Sequence, residues 1–301
     1  MKEFLRRQRG GSCSENGLRG DQMRYEQMLE EARKFYAQPA RPVGTREPFP
    51  GPPSDALAQD GPPSDTLAPE EFLRRLTEAA FRHHARLRHP FAARLVQGQW
   101  KKSQIQEWVR QDYPRIVYAI RRHSLLAANA SDYETLWGLL TRVKVEADSD
   151  PVGGTFFALP QLWTKFGIAL GLSREEIVNS HSHPWLALWN EAMLAEVRFS
   201  AVLPTGEFLD ASLDPVFYRL WGEALEKALQ LPHDALDFFW AIASDRWGEE
   251  TGQSILQRWA GSRESQAELW DKYQAERQDD REWHRLTILQ TVLEAGAASR
   301  S

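Results

Sequence analysis

Asp112, Arg115, Ala119 and Arg122 recur at steps of three or four residues in a segment that reads as helix, so an acid and two arginines share one stripe. Planar guanidinium groups in such a row can clamp a carboxylate through paired hydrogen bonds, which points to an anionic substrate. Intrahelical Asp–Arg pairing on a solvated face is the plainer alternative. Glu146 continues the row Leu136, Leu139, Val143 on a helix whose inward face also takes in Leu140, so its carboxylate should point toward the core. There it can act as a general base, a metal ligand or a buried acid paired with an arginine. Asp245 and Glu249, read as one helical turn apart, add two further carboxylates.

The candidates for catalysis are thus Glu146, Asp112 and Glu249, and those for holding substrate are Arg115, Arg122, Tyr118 and Tyr218. Asp112, Glu146, Asp245 and Glu249 are the weaker candidates for a metal, with no cofactor or iron as the two alternatives. His123 follows Asp112 by three helical turns, about 16 Å along a helix axis, too far for both to bind one ion. His83 and His84 face different sides of their helix, His89 precedes Pro90 at a helix boundary, and His181 and His183 lie in a loop. Capping, packing and surface roles suit these five. No H-E-x-x-H, G-x-x-x-x-G-K or G-x-G-x-x-G pattern occurs, so hydrolytic zinc and phosphate cradles lack support.

The elements that must position these groups are helices. The 301-residue chain is 42% hydrophobic with twelve Trp, enough for one full-sized core plus an appendage. Its net charge of −5, with both signs interspersed, argues against nucleic acid as partner. No apolar run suits a membrane span, and MKEFLRRQRGGSC lacks the apolar stretch of a secretory signal. Cys13 is the single cysteine, which excludes an internal disulfide and cysteine-based metal sites. A cytoplasmic setting is expected.

Residues 1–67 read as a disordered, low-complexity extension. The ten-residue unit GPPSDALAQD at 51–60 returns as GPPSDTLAPE at 61–70, an extended linker pattern. Within it, Tyr25, Met28, Leu29, Ala32, Phe35 and Tyr36 predict a short amphipathic helix over 21–37, either docked or without a partner. Residues 68–301 form the main domain. Pro69 with Glu70 and Glu71 opens its first helix, Ser103 caps a segment over 104–129 kinked at Pro114, and Ser131 and Asp132 start the next. Ser173 and Glu176 form a capping box. Further segments run 184–199, 214–230 (Asp214 cap, Pro215 in the first turn), 234–259 and 263–294. VGGT at 152–155 reads as a turn, and the dense aromatics, Trp185, Trp189 and Trp163 among them, read mostly as core. With no period-two alternation, the fold class is all-α, about seven to eight helices in a bundle.

Four stretches carry a resemblance: HPF at 89–91, KKSQIQEWVRQDY at 101–113, AANASD at 127–132 and GIALGLSREEI at 167–177. Together they resemble the pyrroloquinoline quinone synthase-like (PqqC) and TenA-like proteins of the haem-oxygenase-like fold, over roughly three-quarters of the chain once helix count is included. The resemblance implies that fold, and it implies an oxidoreductase or related small-molecule enzyme of biosynthesis, acting on an anionic or aromatic metabolite in a central pocket. The departures are specific. Where quinone synthases carry Arg, Tyr and Gln after the Q-W-V motif, this chain has Asp112, Arg115 and Ile116; Arg122 replaces a Lys, Glu146 a His, and DPVFYRLWGEAL has no His. Quinone synthesis itself is therefore not expected. Thiaminases of the TenA type use a core Cys, and Cys13 lies in the tail. Di-iron oxidases of the fold use carboxylates and His, and SDRWGEETGQS places Thr251 at the usual His, so a di-iron oxidase would be an atypical one. A non-catalytic protein binding a metabolite or a partner on the same fold is the opposing reading, with a homodimer as a possible assembly.

Overall fold

The computed structural model describes residues 15–38, 65–147, 158–199, 205–278 and 281–298. Cys13, most of the tandem repeat and the VGGT turn lie outside the described residues. Every regular element among those described is helical, which gives the all-α class. In chain order they are α1 (Glu15–Tyr36), α2 (Pro69–His83), α3 (Ala85–Arg88), α4 (Pro90–Val96), α5 (Lys102–Ala128), α6 (Tyr133–Ala147) and α7 (Leu159–Ala169). They continue with α8 (Arg174–Val178), α9 (Pro184–Phe199), α10 (Thr205–Leu229), α11 (Asp237–Ala243), α12 (Gln253–Trp259), α13 (Arg263–Gln278) and α14 (Arg281–Ala298).

There are more segments than the seven or eight expected because polar side chains break several long runs. His84 and His89 each cap a short helix, their Nδ1 atoms accepting from Arg86 N and Phe91 N, both at 3.0 Å. Burial pushes the His89 imidazole down to about 3, so it caps α4 in its neutral form. The expected helix over 234–259 divides into a 3-10 turn at His233–Leu236, α11, and a π turn at Gly248–Gly252 leading into α12. The break has a cause: Asp245 Oδ1 accepts from Trp247 N at 3.0 Å, and a Cβ on Gly248 would meet Ala211 carbonyl atoms at 2.2 Å. Asp245 and Glu249 are consequently not one turn of the same helix apart, and the Glu249 side chain lies outside the described residues.

Three boundaries also differ. Helix α5 starts at Lys102, with Gln104 Oε1 accepting from Lys101 N at 3.0 Å, so Ser103 sits inside the first turn rather than capping it. Helix α10 starts at Thr205 and encloses Pro215; buried Phe208, Leu209, Ser212 and Leu213 hold its first half in place, and Asp214 serves Arg86 rather than a cap. Helix α1 begins at Glu15 and is docked, with Tyr25, Met28, Leu29, Ala32 and Tyr36 all buried in the common core.

Helix α5 is the axis of the bundle, packed against α6, α7, α8, α9 and α14, while α10 packs on α1, α4, α11 and α13. Pro114 removes a donor inside α5, and the carbonyl it frees at Arg110 lies 2.8 Å from Ser180 Oγ. Trp108 sits at the centre of an aromatic cluster, 5.4 Å from Trp163, 5.5 Å from Phe91 and 5.9 Å from Trp221 between centroids. Trp185 is not part of it; it is about half exposed, and Leu140 likewise faces out. No helix among the described residues is long and apolar enough to cross a membrane.

Candidate functional site

The inward face of α6 comprises Thr135, Gly138, Leu139, Arg142 and Glu146, so Glu146 does point inward, and Arg142 goes with it. From α5 the buried row Ile105, Val109, Asp112, Ile116 and His123 faces the same interior. Between α5, α6, α9, α10 and the start of α14 lies a cavity of about 260 Å³, whose lining includes Tyr218, Phe238 and Ile242 together with arginines, acids and His123.

His123 is the hinge of the polar wall. Its Nδ1 lies 2.6 Å from Glu146 Oε2 and its Nε2 lies 2.7 Å from Glu207 Oε1. Arg142 Nε meets Glu146 Oε1 at 2.6 Å and its Nη1 pairs with Asp245 Oδ2, while Arg122 Nη1 pairs with Glu207 Oε2. Burial alone would lower the His123 pKa, but the two flanking carboxylates more than offset it and push it up to about 9. In turn, burial opposes ionisation of Glu146, yet His123 and Arg142 hold its carboxyl below the usual range. Glu207 is held down in the same way by Arg122 and His123. The row is charged from end to end, which is stable only because the charges alternate.

A second network stands behind the opposite end of α5. Asp112 is buried and accepts from Trp108 Nε1 at 2.9 Å and from Arg285 Nη1 at 2.9 and 3.2 Å. Arg285 also holds Glu282, whose other contact is Arg86, itself paired with Asp214. Asp112 therefore lies in the wall and does not line the cavity, whereas Arg115, Arg122, Tyr118, Tyr218 and Glu146 do. Arg122 reaches Glu207, and Glu146 reaches Arg142 and His123, so the arginine paired with Glu146 is Arg142 and neither Arg115 nor Arg122. Tyr118 sits at the rim with its hydroxyl donating to Glu191.

Arg115 differs from the rest. Its Nε lies 3.3 Å from Asp112 Oδ2 without making a hydrogen bond, and its terminal nitrogens make none to a described residue. Asp112 already accepts hydrogen bonds from Trp108 and Arg285. Beyond that ion pair with Asp112, the terminal nitrogens of Arg115 are hydrogen-bonded by no described residue.

The carboxylates do not fit iron or another metal. Both oxygens of Glu146, Glu207, Asp245 and Asp112 are each engaged by an arginine, by His123, by an indole or by a backbone N–H. His123 is held as a cation between two of them, and an imidazolium has no lone pair to give a metal. Among the described residues no group of three or more His, Cys, Asp or Glu is arranged to hold an ion.

Sequence reasoning missed His123, Glu207 and Arg142. His123 stands seven residues after buried Ile116 on the inward row of α5, and that periodicity was the available signal. Glu207 had none, because it lies where Pro215 argued against helix. A model described as the TENA/THI-4/PQQC family matches residues 76–202. No curated protein matches the sequence. Among solved structures, a domain of unknown function with a heme oxygenase-like fold from Shewanella denitrificans OS217 is similar at a TM-score of 0.56 and 13% identity, covering 77% of this chain and 93% of that one. A TenA family transcription regulator from Silicibacter sp. TM1040 aligns at a TM-score of 0.48 and 15% identity, over 76% of this chain and 97% of that one. Residues 76–202 are thus similar to the TENA/THI-4/PQQC family, and the chain shares the haem-oxygenase-like fold.

Proposed function

We propose that this chain takes up a small anionic metabolite with a flat apolar body in the central cavity, in a cytoplasmic setting, and acts on it as an oxidoreductase or related small-molecule enzyme. The observation that carries the reading is the Arg115 guanidinium, which lines the cavity, is ion-paired with Asp112 through Nε, and has terminal nitrogens hydrogen-bonded by no described residue. A planar anion such as a carboxylate meets that fork through two charge-assisted hydrogen bonds, while Tyr218 and Phe238 supply an aromatic wall for the rest of the molecule. Neither nucleic acid nor a membrane is needed as a partner.

Benzoate, a carboxylate on a flat ring, tests the reading by calorimetry. It should bind the intact chain, and Arg115→Met should weaken it about tenfold or more, as loss of a charged hydrogen bond requires. Equal binding by both proteins would reject the anion site. A second reading, binding without turnover, is favoured by the mutual neutralisation of His123, Glu146 and Glu207, which leaves none of the three poised near neutral pH. Steady loss of a bound native ligand under aerobic assay would decide for the enzyme, and its unchanged recovery for the binder.

A further inference from the structure

The inward stripe of α9 reads Leu186, Asn190, Met193, Leu194 and Val197, each buried. Four of the five are the apolar residues that a core-facing helix stripe calls for. Asn190 breaks the pattern at a cost, since a buried amide needs partners and Asn is a poor residue for a helix interior. Only 4% of Asn190 is exposed, it lines the cavity, and its side chain forms no hydrogen bond to any described residue. Buried side-chain amides in folded proteins are ordinarily satisfied. The carboxamide presents donors and an acceptor together, whereas Arg115 presents donors alone, and both line the same cavity.

We infer that Asn190 is a specificity-determining residue of this cavity, reading a second polar edge of the ligand that carries a donor beside an acceptor, such as a carboxamide or lactam. The inference rests on the anion site at Arg115 and narrows its ligand class to anions that also bear an amide-like edge. A neutral amide is the complement because Asn190 can both give and accept there. A ligand with only a hydrocarbon at that point would leave the Asn190 amide desolvated and unpaired, and sites built in this way reject such analogues strongly.

The test compares benzoate with 3- and 4-carbamoylbenzoate on the full chain by calorimetry. At least one carbamoyl compound should bind about tenfold tighter than benzoate. Asn190→Leu should abolish that difference without weakening benzoate, while Arg115→Met should weaken all three. If benzoate binds through Arg115 but neither carbamoyl compound gains and Asn190→Leu changes nothing, the inference fails and the anion site stands. If Arg115→Met changes no affinity, or no probe binds at all, the anion site fails and takes this inference with it. The melting temperature of the ligand-free protein gives an independent check. Asn190 makes no bond to the described protein, so Asn190→Leu should leave it unchanged or raise it by about 2–4 °C. A fall of that size or more would mark Asn190 as structural and overturn the assignment.

Discussion

His123 on α5 and Glu207 in the first turn of α10 lie 2.7 Å apart, Nε2 to Oε1, joining two helices that meet at the cavity. The contact ties the fold to pH with a definite sign. The folded pKa of His123, about 9, is raised above its ordinary 6.5. Its contribution is therefore complete below about pH 6.5 and is lost as pH rises through about 9. Glu146 and Glu207 are lowered from 4.5, so theirs is present above that value and lost as pH falls. Urea unfolding across pH 6 to 10 should show stability dropping by up to about 3 kcal/mol on the alkaline limb, and His123→Gln should flatten that limb. An unchanged slope in the variant would show that His123 is not held as a cation.

Glu146 links that pair to Arg142. Glu146→Ala strands His123 and part of Arg142 in the interior, and breaking a buried ion pair costs about 3–5 kcal/mol. Glu146→Gln keeps the shape and removes only the charge, so it should cost less and bring the His123 titration down. A loss under about 1 kcal/mol for Glu146→Ala, the size of an exposed pair, would refute the buried network.

Iron supplies a separate check on the same residues. Since every oxygen of Glu146, Glu207, Asp245 and Asp112 is engaged within the protein, ferrous iron added to the purified chain should leave its melting temperature and urea midpoint unchanged. Uptake of about two irons per chain, abolished by Glu146→Gln, would overturn this.

Helix α1 gives a prediction about the extension. Leu29 is 1% exposed, and the Tyr36 hydroxyl donates to the Arg86 carbonyl at 2.5 Å, next to an arginine of the cavity wall. Leu29→Ala should cost about 2–5 kcal/mol, as for other core positions. After cleavage at a protease site engineered between residues 39 and 64, the fragment bearing α1 should co-purify with the rest. Free release of the fragment would contradict the docking.

What was legible in the sequence depended on periodicity. Leu29 and its neighbours, the inward turn of Glu146 and the capping box, in which Ser173 Oγ accepts from Glu176 N at 3.1 Å, all follow from local spacing. The partners of each charge do not, because Asp112 finds Arg285 across 173 residues and Arg142 finds Asp245 across 103. Spacing along α5 placed Arg115 and Arg122 together on the cavity side, yet only the surrounding helices distinguish Arg122, whose terminal nitrogen pairs with Glu207, from Arg115, whose terminal nitrogens stay unbonded among the described residues. Pro215 misled for the opposite reason: local chemistry argued for a helix start, and the packing of Phe208 and Leu213 outweighed it.

Pro114 offers the most demanding test of how the long helix α5 is built. The Arg110 carbonyl it leaves without an intrahelical donor is met by Ser180 Oγ at 2.8 Å, and the same hydroxyl lies 2.7 Å from Ile177 O. One proton cannot serve both carbonyls, and the one at Ile177 closes a local turn that forms in any case. Ser180→Ala should cost about 1–3 kcal/mol if the proton goes to Arg110, since an acceptor beneath α8 is then left unmet. Pro114→Ala restores an N–H at position 114, and in the Ser180→Ala background that N–H can pair with Arg110. The double variant should therefore be more stable than the sum of its single changes predicts, by about 0.5–3 kcal/mol of coupling in a double-mutant cycle. Strict additivity would mean that Ser180 donates to Ile177 instead, and that the gap left by Pro114 is filled by solvent.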